Sequence, residues 1–192
     1  MKITPLEIGG LQLVELDIHG DARGFFVERF HAELFRPFIS TQFVQDNHSR
    51  SAPGVLRGLH FQYGPPQGKL VGVVHGAIFD VAVDVRPESP TFGQSYGVEL
   101  SDMNGRLLWV PPGFAHGICV IGDEPADVLY KVDAVYTPTG EGGIRWNDPD
   151  LAVKWPVEDP TVSARDMVLP TFADYQAAPP EWSQILNGAA KT

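Results

Sequence analysis

His60 is the natural candidate in this chain for moving a proton near neutral pH. It stands within residues 55–62, Val-Leu-Arg-Gly-Leu-His-Phe-Gln, where apolar side chains surround it. The unperturbed pKa of a histidine side chain is about 6.5, so a neutral imidazole is a competent general base. A lone histidine among apolar residues is also a common core residue with its polar atoms satisfied. The local sequence leaves a catalytic and a structural role open.

Two carboxylates share one face of a strand predicted at residues 79–85. The run Phe-Asp-Val-Ala-Val-Asp-Val alternates, so Asp80 and Asp84 lie opposite four apolar side chains. This face could line a polar barrel interior, or it could simply face water. Alternation alone does not distinguish the two.

Two tyrosines, Tyr130 and Tyr136, occupy positions of the same parity in a strand predicted at residues 127–136. A strand rises by about 3.3 Å per residue, so six residues would place their rings ~20 Å apart on one face. One ring could then act at one end of a pocket and the other at its far end. Both could equally be core or rim aromatics.

Several cations in this acidic chain stand near a glycine or a turn, namely Arg23, Arg57, Lys69 and Arg165. If two or three converge, they would form a pyrophosphate site, because Arg and Lys donate charge-assisted hydrogen bonds to phosphate oxygens. Residues 45–47, Gln-Asp-Asn, offer groups for a base edge or a ribose. The formal net charge of −10 argues against nucleic acid as a partner.

Short strands separated by turn residues must position these side chains. Strand-like runs occur at residues 11–18, 25–27, 42–47, 55–63, 69–74, 77–85, 95–100, 106–110, 117–121 and 127–136. A short helix is predicted at residues 31–38, ended at Pro37, and the segment after Asp166 is expected to form loops and short helices on the barrel. This pattern is typical of an all-β sandwich or barrel.

Two glycine-led spacings sharpen the fold prediction to a jelly-roll barrel of the cupin type. Five residues separate Gly54 from His60, as in the first cupin motif, but Gln62 replaces the second histidine and the expected Glu is missing. The second motif is complete, at Gly105, Pro111, Gly113 and His116. A mononuclear metal site normally needs three or more protein ligands. The sequence therefore predicts no metal and a metal-free use of His60.

The bulk composition fits one soluble globular domain covering residues 1–192. Hydrophobic residues make up 43% and charged residues 20% of the chain. Cys119 is the only cysteine, which excludes an internal disulfide and fits a reducing compartment. The first ten residues lack a signal pattern, and no apolar run reaches the ~18 residues of a membrane span. We expect a cytoplasmic protein with no membrane partner.

Many segments, in order, resemble the dTDP-4-dehydrorhamnose 3,5-epimerase family. The matching stretches are residues 20–26, 43–49, 55–62, 68–71, 79–84, 89–93, 112–117, 129–131 and 144–148. The resemblance runs from about residue 6 to residue 170 and covers nearly the whole chain. Long motifs in the same order are far more specific than one short pattern.

The resemblance implies a role for each candidate residue. His60 matches the general base, Asp166 the carboxylate that pairs with it, and Tyr130 the proton donor. Lys69 is the expected cation near the developing enolate oxygen, and Tyr136 matches the aromatic that stacks on thymine. The substrate-binding positions also include Arg23, Glu28, Gln45, Asp46, Asn47, Arg57, His116, Glu141 and Arg165.

The implied reaction is epimerisation at C3 and C5 of dTDP-4-dehydro-6-deoxy-D-glucose, which gives dTDP-4-dehydro-L-rhamnose. Both C–H bonds are acidified by the neighbouring C4 carbonyl, so no cofactor is required. The resemblance also implies a homodimer, with Arg23 reaching the partner's site. The alternatives are a C5-only or C3-only epimerase, a keto-isomerase of the same fold, a non-catalytic sugar-nucleotide-binding cupin and a metal-dependent cupin oxygenase.

Overall fold

The structure, a computed structural model, describes residues 1–181. Within these residues the strands are β1 (Lys2–Pro5), β2 (Gln12–Glu15), β3 (Ile18–Asp21), β4 (Gly24–Val27), β5 (Gln45–Ser51), β6 (Val55–Gln62), β7 (Lys69–His75), β8 (Ala77–Asp84), β9 (Ser95–Ser101), β10 (Arg106–Val110), β11 (Phe114–Ile121), β12 (Ala126–Val132), β13 (Glu141–Gly143) and β14 (Thr161–Val162). The helices are short: α1 (Ala32–Phe35), α2 (Ala164–Met167) and α3 (Phe172–Ala177), with a 3₁₀ turn at Pro138–Gly140.

Two six-stranded sheets form the barrel. The first sheet has the order β1-β2-β10-β7-β12-β5, and the second has the order β13-β6-β11-β8-β9 with β14 added beside β6. Every pair is antiparallel except β14 with β6. The predicted all-β jelly-roll barrel of cupin type with short peripheral helices is confirmed.

The interior between the sheets is packed with aliphatic side chains over much of its length. Its buried members come from strands of both sheets and include Val71, Val73, Ile78, Leu100, Leu108, Ile118 and Val128. Such side chains alternate with outward-facing ones along each strand, because successive strand residues point to opposite faces of the sheet. This packing fixes the strands and leaves space for a cavity where polar side chains replace the aliphatic ones.

Peripheral segments cover the outer faces of the two sheets. Phe35 and Ile39, from α1 and the turn after it, pack on Leu70, Leu107 and Trp109 of the first sheet. Phe172 and Tyr175 of α3, with Ile144 and Leu151, pack on Leu59, Val81 and Val83 of the second sheet. The segment after Asp166 therefore forms short helices on the barrel as predicted, while residues 182–192 lie outside the described residues.

The strand predictions at 55–63, 69–74, 77–85, 95–100 and 106–110 are confirmed within one residue at each end. The helix predicted at residues 31–38 is shorter, because Pro37 has no N–H to continue the bonding of α1. The strand predicted at residues 127–136 ends at Val132, so the prediction that Tyr130 and Tyr136 share one strand face is wrong. Residues 117–121 belong to a longer strand, β11, which also contains His116.

Candidate active site

A cavity of about 320 Å³ lies between the two sheets. The second sheet contributes Arg57 and His60 from β6 and His116 from β11, while the first contributes Lys69 from β7 and Tyr130 from β12. The full lining is Ser49, Arg57, His60, Lys69, Val71, His116, Ile118, Val128, Tyr130, Ser163, Arg165 and Asp166. Seven of the residues predicted from the sequence therefore meet in one cavity.

His60 and Asp166 form a hydrogen-bonded pair in this cavity. The His60 Nε2 atom lies 2.7 Å from Oδ1 of Asp166. Asp166 is buried, its other oxygen accepts a hydrogen bond from the Gly58 backbone N–H, and its own N–H donates to the Ser163 side chain that caps α2. An ionised carboxylate can only accept, so Nε2 carries the proton and the neutral ring keeps its lone pair on Nδ1. The pair thus leaves Nδ1 of His60 as the basic atom.

The surroundings of His60 favour its neutral form. Burial lowers the pKa of this imidazole, and the hydrogen bond and charge of Asp166 only partly oppose the shift. The nearby cations Lys69 and Arg165 lower the pKa further. A histidine with a lowered pKa is unprotonated at neutral pH and is ready to accept a proton.

The second pocket histidine, His116, has a carboxylate of its own. Its Nε2 lies 3.0 Å from both oxygens of Asp80, which is fully buried. Asp84, further along β8, is equally buried and is bound by Arg86, Ser89 and Thr91. The interpretation that Asp80 and Asp84 face the barrel interior is therefore correct, and the interpretation that they face water is wrong.

Lys69 and Tyr130 bring proton donors from the opposite sheet. Burial lowers the pKa of Lys69 to about 8, with Glu141 and Asp80 opposing the shift, so the ammonium is mostly charged at neutral pH. Burial raises the pKa of Tyr130, so its phenol keeps its proton. The first sheet thus presents hydrogen-bond donors across the cavity from the two histidines.

Arg57 is held by its neighbours at the edge of the cavity. Its Nε donates to the Ser51 hydroxyl at 2.9 Å, and Nη2 donates to the backbone carbonyl of Arg50 at 3.4 Å. These bonds restrain the guanidinium and leave other N–H groups for a ligand. A fixed guanidinium suits a phosphate, because less side-chain freedom is lost on binding.

A second polar cluster stands beside the cavity at Arg165. Glu141 accepts hydrogen bonds from the Arg165 guanidinium and the Tyr136 hydroxyl, both at 2.8 Å. The backbone N–H of Tyr136 donates to Gln45, whose amide donates to Asn47. Through this chain of contacts the structure links four further predicted residues, Gln45, Asn47, Tyr136 and Glu141, to the cavity.

Gln62 explains why Tyr136 reaches this cluster although its strand has ended. The Gln62 side chain donates to the carbonyls of Pro65 and Val135 and accepts from the backbone N–H of Thr137. It therefore fixes the loop on both sides of Tyr136. The sequence analysis noted Gln62 only as the residue that replaces a cupin metal ligand. Nothing in the local sequence indicated that its side-chain amide binds the backbone of Val135 and Thr137, which are more than 70 residues away.

All the residues that line the cavity lie within a stretch of the chain that matches a known family. The family model described as dTDP-4-dehydrorhamnose 3,5-epimerase matches residues 5–174. The chain belongs to this family. It is an epimerase, and so an isomerase. The dTDP-4-dehydrorhamnose 3,5-epimerase of Shigella flexneri is 48% identical over 177 residues, which cover 91% of this chain and 97% of the relative.

Solved structures agree with this assignment. RmlC of Legionella pneumophila Philadelphia 1, in complex with dTDP-4-keto-L-rhamnose, has a TM-score of 0.85 and 47% identity, covering 88% of this chain and 92% of that one. ChmJ of Streptomyces bikiniensis, a 3'-monoepimerase in complex with dTDP-quinovose, has a TM-score of 0.85 and 34% identity, covering 90% and 89%. This chain is similar to both and shares their fold.

Three of the predicted residues of this epimerase neither line the cavity nor join the contacts that lead to it from Gln45, Asn47, Tyr136 and Glu141. Asp46 projects from the opposite face of β5 to its neighbours and pairs with Lys131, because successive strand residues point to opposite faces. Arg23, on the hairpin of β3 and β4, binds Asp21 and has a side chain that is 90% exposed. Glu28 follows the same hairpin and is exposed. None of these three side chains lines the cavity of its own chain.

Among residues 1–181 the epimerase has no group of three or more His, Cys, Asp or Glu side chains placed to hold a metal ion. Both pocket histidines already direct Nε2 to a carboxylate. Metal-free catalysis stays a prediction, which activity after chelation would test. Within the same residues, no helix is long and apolar enough to cross a membrane.

Proposed function

We propose that this chain inverts C3 and C5 of dTDP-4-dehydro-6-deoxy-D-glucose and so forms dTDP-4-dehydro-L-rhamnose. The observation that carries the proposal is the placement of the His60–Asp166 pair and Tyr130 on opposite sides of one cavity. An inversion needs a base on one face of the carbon and a donor on the other. The two sheets supply these groups separately.

The steps follow from the atoms that line the cavity. Nδ1 of His60 takes the proton from the carbon beside the C4 carbonyl, and the electron pair of that C–H bond moves onto O4 as an enolate. Asp166 stabilises the resulting imidazolium without taking its proton, as a carboxylate does in hydrolase triads. The Lys69 ammonium stabilises the negative O4. Tyr130 then returns a proton to the carbon from the opposite face.

The nucleotide would be bound by the cations and the aromatic ring at the edge of the cavity. Arg57 and Arg165 are the guanidinium groups that line it and can bind the pyrophosphate. Tyr136 is half-exposed beside Arg165 and presents a ring on which thymine can stack. The Legionella relative was solved with dTDP-4-keto-L-rhamnose, a ligand that supports this substrate class.

We also propose that the chain is a homodimer in which the β3–β4 hairpin carries Arg23 and Glu28 to the partner's cavity. The hairpin exposes Phe25 and Phe26, with 67% and 69% of their surface accessible. Two large exposed aromatic side chains in one strand are typical of a surface that another chain covers. Arg23 does not line the cavity of its own chain, which supports the same arrangement.

The extent of the domain and its location are proposals of the same kind. We propose that residues 1–192 form one epimerase domain that acts in the cytoplasm. The family match from residue 5 to residue 174 supports a single functional unit. The single buried cysteine, Cys119, suits a reducing compartment.

A single-centre epimerase is the second candidate, because ChmJ, a 3'-monoepimerase, shares this fold at 34% identity. Incubation with dTDP-4-dehydro-6-deoxy-D-glucose in D₂O, followed by NMR, separates the two. Deuterium at both C3 and C5 of the product is the expected result. Deuterium at only one of these carbons would establish the single-centre reaction, and no exchange at either would refute the epimerase proposal for this substrate.

The roles of base and donor can be separated in the same assay. We expect Tyr130→Phe to lose epimerised product by about 10²-fold or more, the usual contribution of a positioned acid, while exchange at the original face continues. His60 and Asp166 remain in this variant, so the enolate still forms. Equal losses of exchange and product would show that Tyr130 is not a dedicated donor.

A further inference from the structure

Asp80 has no part in the steps above, yet it is a fully buried carboxylate inside the barrel. Both of its oxygens lie 3.0 Å from Nε2 of His116, whose side chain is only 11% exposed and lines the cavity. Removing a carboxylate from water carries a large free-energy cost unless hydrogen bonds compensate it. We therefore examine what the buried Asp80 carboxylate does for His116.

The neighbouring histidine shows what such a carboxylate does. His116 and His60 are direct partners in the register of β11 and β6, so their side chains lie side by side on one face of the sheet. Each directs Nε2 to its own carboxylate, Asp80 or Asp166. Because a carboxylate only accepts, both neutral rings carry the proton on Nε2 and have a bare Nδ1.

The two walls of the cavity therefore differ in hydrogen-bonding character. The wall of β7 and β12 presents donors, the Lys69 ammonium and the Tyr130 hydroxyl. The wall of β6 and β11 carries the Arg57 guanidinium at the edge of the cavity, and beside it two imidazoles that are acceptors in their neutral form. A ketone oxygen that becomes an enolate needs donors, whereas a sugar hydroxyl can be bound by an acceptor. Such a cavity orients a keto sugar.

We infer that Asp80 is a positioning residue, which fixes the tautomer of His116 and so makes this histidine an acceptor for a hydroxyl group of the sugar. The inference rests on the proposed function, since it assigns the hydroxyl to the same substrate. Without Asp80 the ring can place its proton on Nδ1 and present a donor. A wrong histidine tautomer is known to impair catalysis when a carboxylate partner becomes an amide.

The first measurement needs neither a variant nor turnover. Two-dimensional NMR of the protein with ¹⁵N-labelled histidine distinguishes the protonated ring nitrogen from the bare one. We expect His116 of the wild-type protein to carry its proton on Nε2 and Asp80→Asn to populate the other tautomer, because an amide can donate as well as accept. A wild-type His116 with its proton on Nδ1 would overturn the inference, even if no variant folds.

The second measurement is kinetic. Loss of the carboxylate behind a metal-bound histidine typically costs ~10–100-fold in activity, and we expect kcat/KM of Asp80→Asn to fall within this range. Affinity for dTDP, which lacks the sugar, should change by less than about twofold. Asp80 also favours the charged form of Lys69, so a lower kcat/KM alone does not show that Asp80 acts through His116.

A double-mutant cycle with His116→Gln shows whether Asp80 acts through His116. If Asp80 acts through His116, Asp80→Asn should cost several-fold less in the His116→Gln background than in the wild type, and the loss that remains reflects its support of the Lys69 charge. Independent losses that multiply would overturn the inference, as would parallel falls in melting temperature and dTDP affinity. A wild-type enzyme that does not turn over this substrate would instead refute the proposed function and leave the tautomer result standing.

His48→Gln is the matched control, since the His48 Nε2 contacts a carboxylate of Asp127 at 2.9 Å outside the cavity. This variant should leave kcat/KM and the His116 spectrum unchanged. A comparable kinetic loss in His48→Gln would show that removal of any histidine–carboxylate contact has the effect and would overturn the specific role of Asp80.

Discussion

Histidine–carboxylate pairs occur both inside the barrel and on its outer surface, and the same contact has different surroundings in the two regions. Inside, the His60 and His116 side chains are 25% and 11% exposed. Outside, the His48 side chain is 58% exposed, and its partner Asp127 is also bound by Arg50. The hydrogen bonds from Arg50 and His48 lower the pKa of Asp127 to about 2. The outer carboxylate is already neutralised by a guanidinium, and its histidine faces water. In the proposed mechanism the inner pair can serve catalysis because a cavity, the Lys69 ammonium and the Tyr130 hydroxyl converge on it.

The largest expected effect is the loss of proton exchange when His60 of the inner His60–Asp166 pair is replaced. His60→Ala removes the base, and we expect exchange at both C3 and C5 to fall by ~10²–10⁴-fold, the usual contribution of a positioned base. The variant should still bind dTDP and melt as a folded protein, because His60 contacts the sugar in the proposed complex. NMR exchange in D₂O, dTDP titration and a melting curve measure the three quantities. An exchange-competent His60→Ala would end the proposed mechanism.

The next effect concerns the cations that line the cavity. Arg57→Ala removes a charge-assisted hydrogen bond to the pyrophosphate, worth ~1.5–3 kcal/mol. The dissociation constant of dTDP should therefore rise by about one to two orders of magnitude. Isothermal titration with dTDP alone gives this value without turnover. Arg50→Ala is the outer counterpart, and its affinity for dTDP should stay close to the wild-type value. An unchanged constant for Arg57→Ala would remove Arg57 from the nucleotide site.

The pH dependence of kcat/KM should reflect the inner groups. The base His60 must be neutral, and its pKa lies below the ordinary 6.5, so activity falls only as the pH drops below that lowered value. Lys69 must be charged, and its pKa is about 8, so activity falls again above about pH 8. Each limb should decline about tenfold per pH unit. A profile that stays flat well above pH 8 would show that the Lys69 charge is not needed.

The smallest expected effect is on the outer pair itself. We expect His48→Gln to leave exchange at C3 and C5 unchanged and to alter the free energy of unfolding by less than ~1 kcal/mol, the usual range for an exposed ion pair. Denaturant unfolding and the exchange assay test both statements. A loss of activity without a loss of stability would extend the functional region to the outer face of β5. The inner and outer histidine–carboxylate pairs would then differ less in function than we expect.

Much of the fold was predictable because alternating strands carry a strong local pattern. The run at residues 106–110 was predicted with the bounds that β10 has, and β8 was predicted to within one residue. The strands β1, β3, β13 and β14 were not predicted, because two to four residues are too few to show a period. The end of β12 was misplaced for another reason, since alternation continues past Val132 in the sequence while the Gln62 side chain holds the following loop.

The candidate site was predictable in its residue types but not in its connections. His60, Lys69, Tyr130 and Asp166 were expected together on the strength of family resemblance, and they line one cavity. The sequence analysis grouped Asp46 with Gln45 and Asn47, whereas the structure places it on the other face of β5, where it pairs with Lys131. That Asp80 would turn inward was left open, because its partner His116 lies 36 residues away along the chain. Long-range contacts of this kind depend on register, which no local pattern specifies.

Gln62 bears on how this scaffold could change its chemistry. Its position is that of the second histidine in the first cupin motif, so Gln62→His would restore one ligand of the usual metal set. The same replacement would leave the Val135 carbonyl and the Thr137 N–H without the amide that now binds both. The loop that presents Tyr136 would then lose one of its anchors, although Gln45 would still accept from the Tyr136 N–H, and the proposed stacking on thymine would weaken as metal affinity grew. Evolution from one cupin chemistry to the other would thus have to cross a poorly functional intermediate, unless a second substitution secured the loop first.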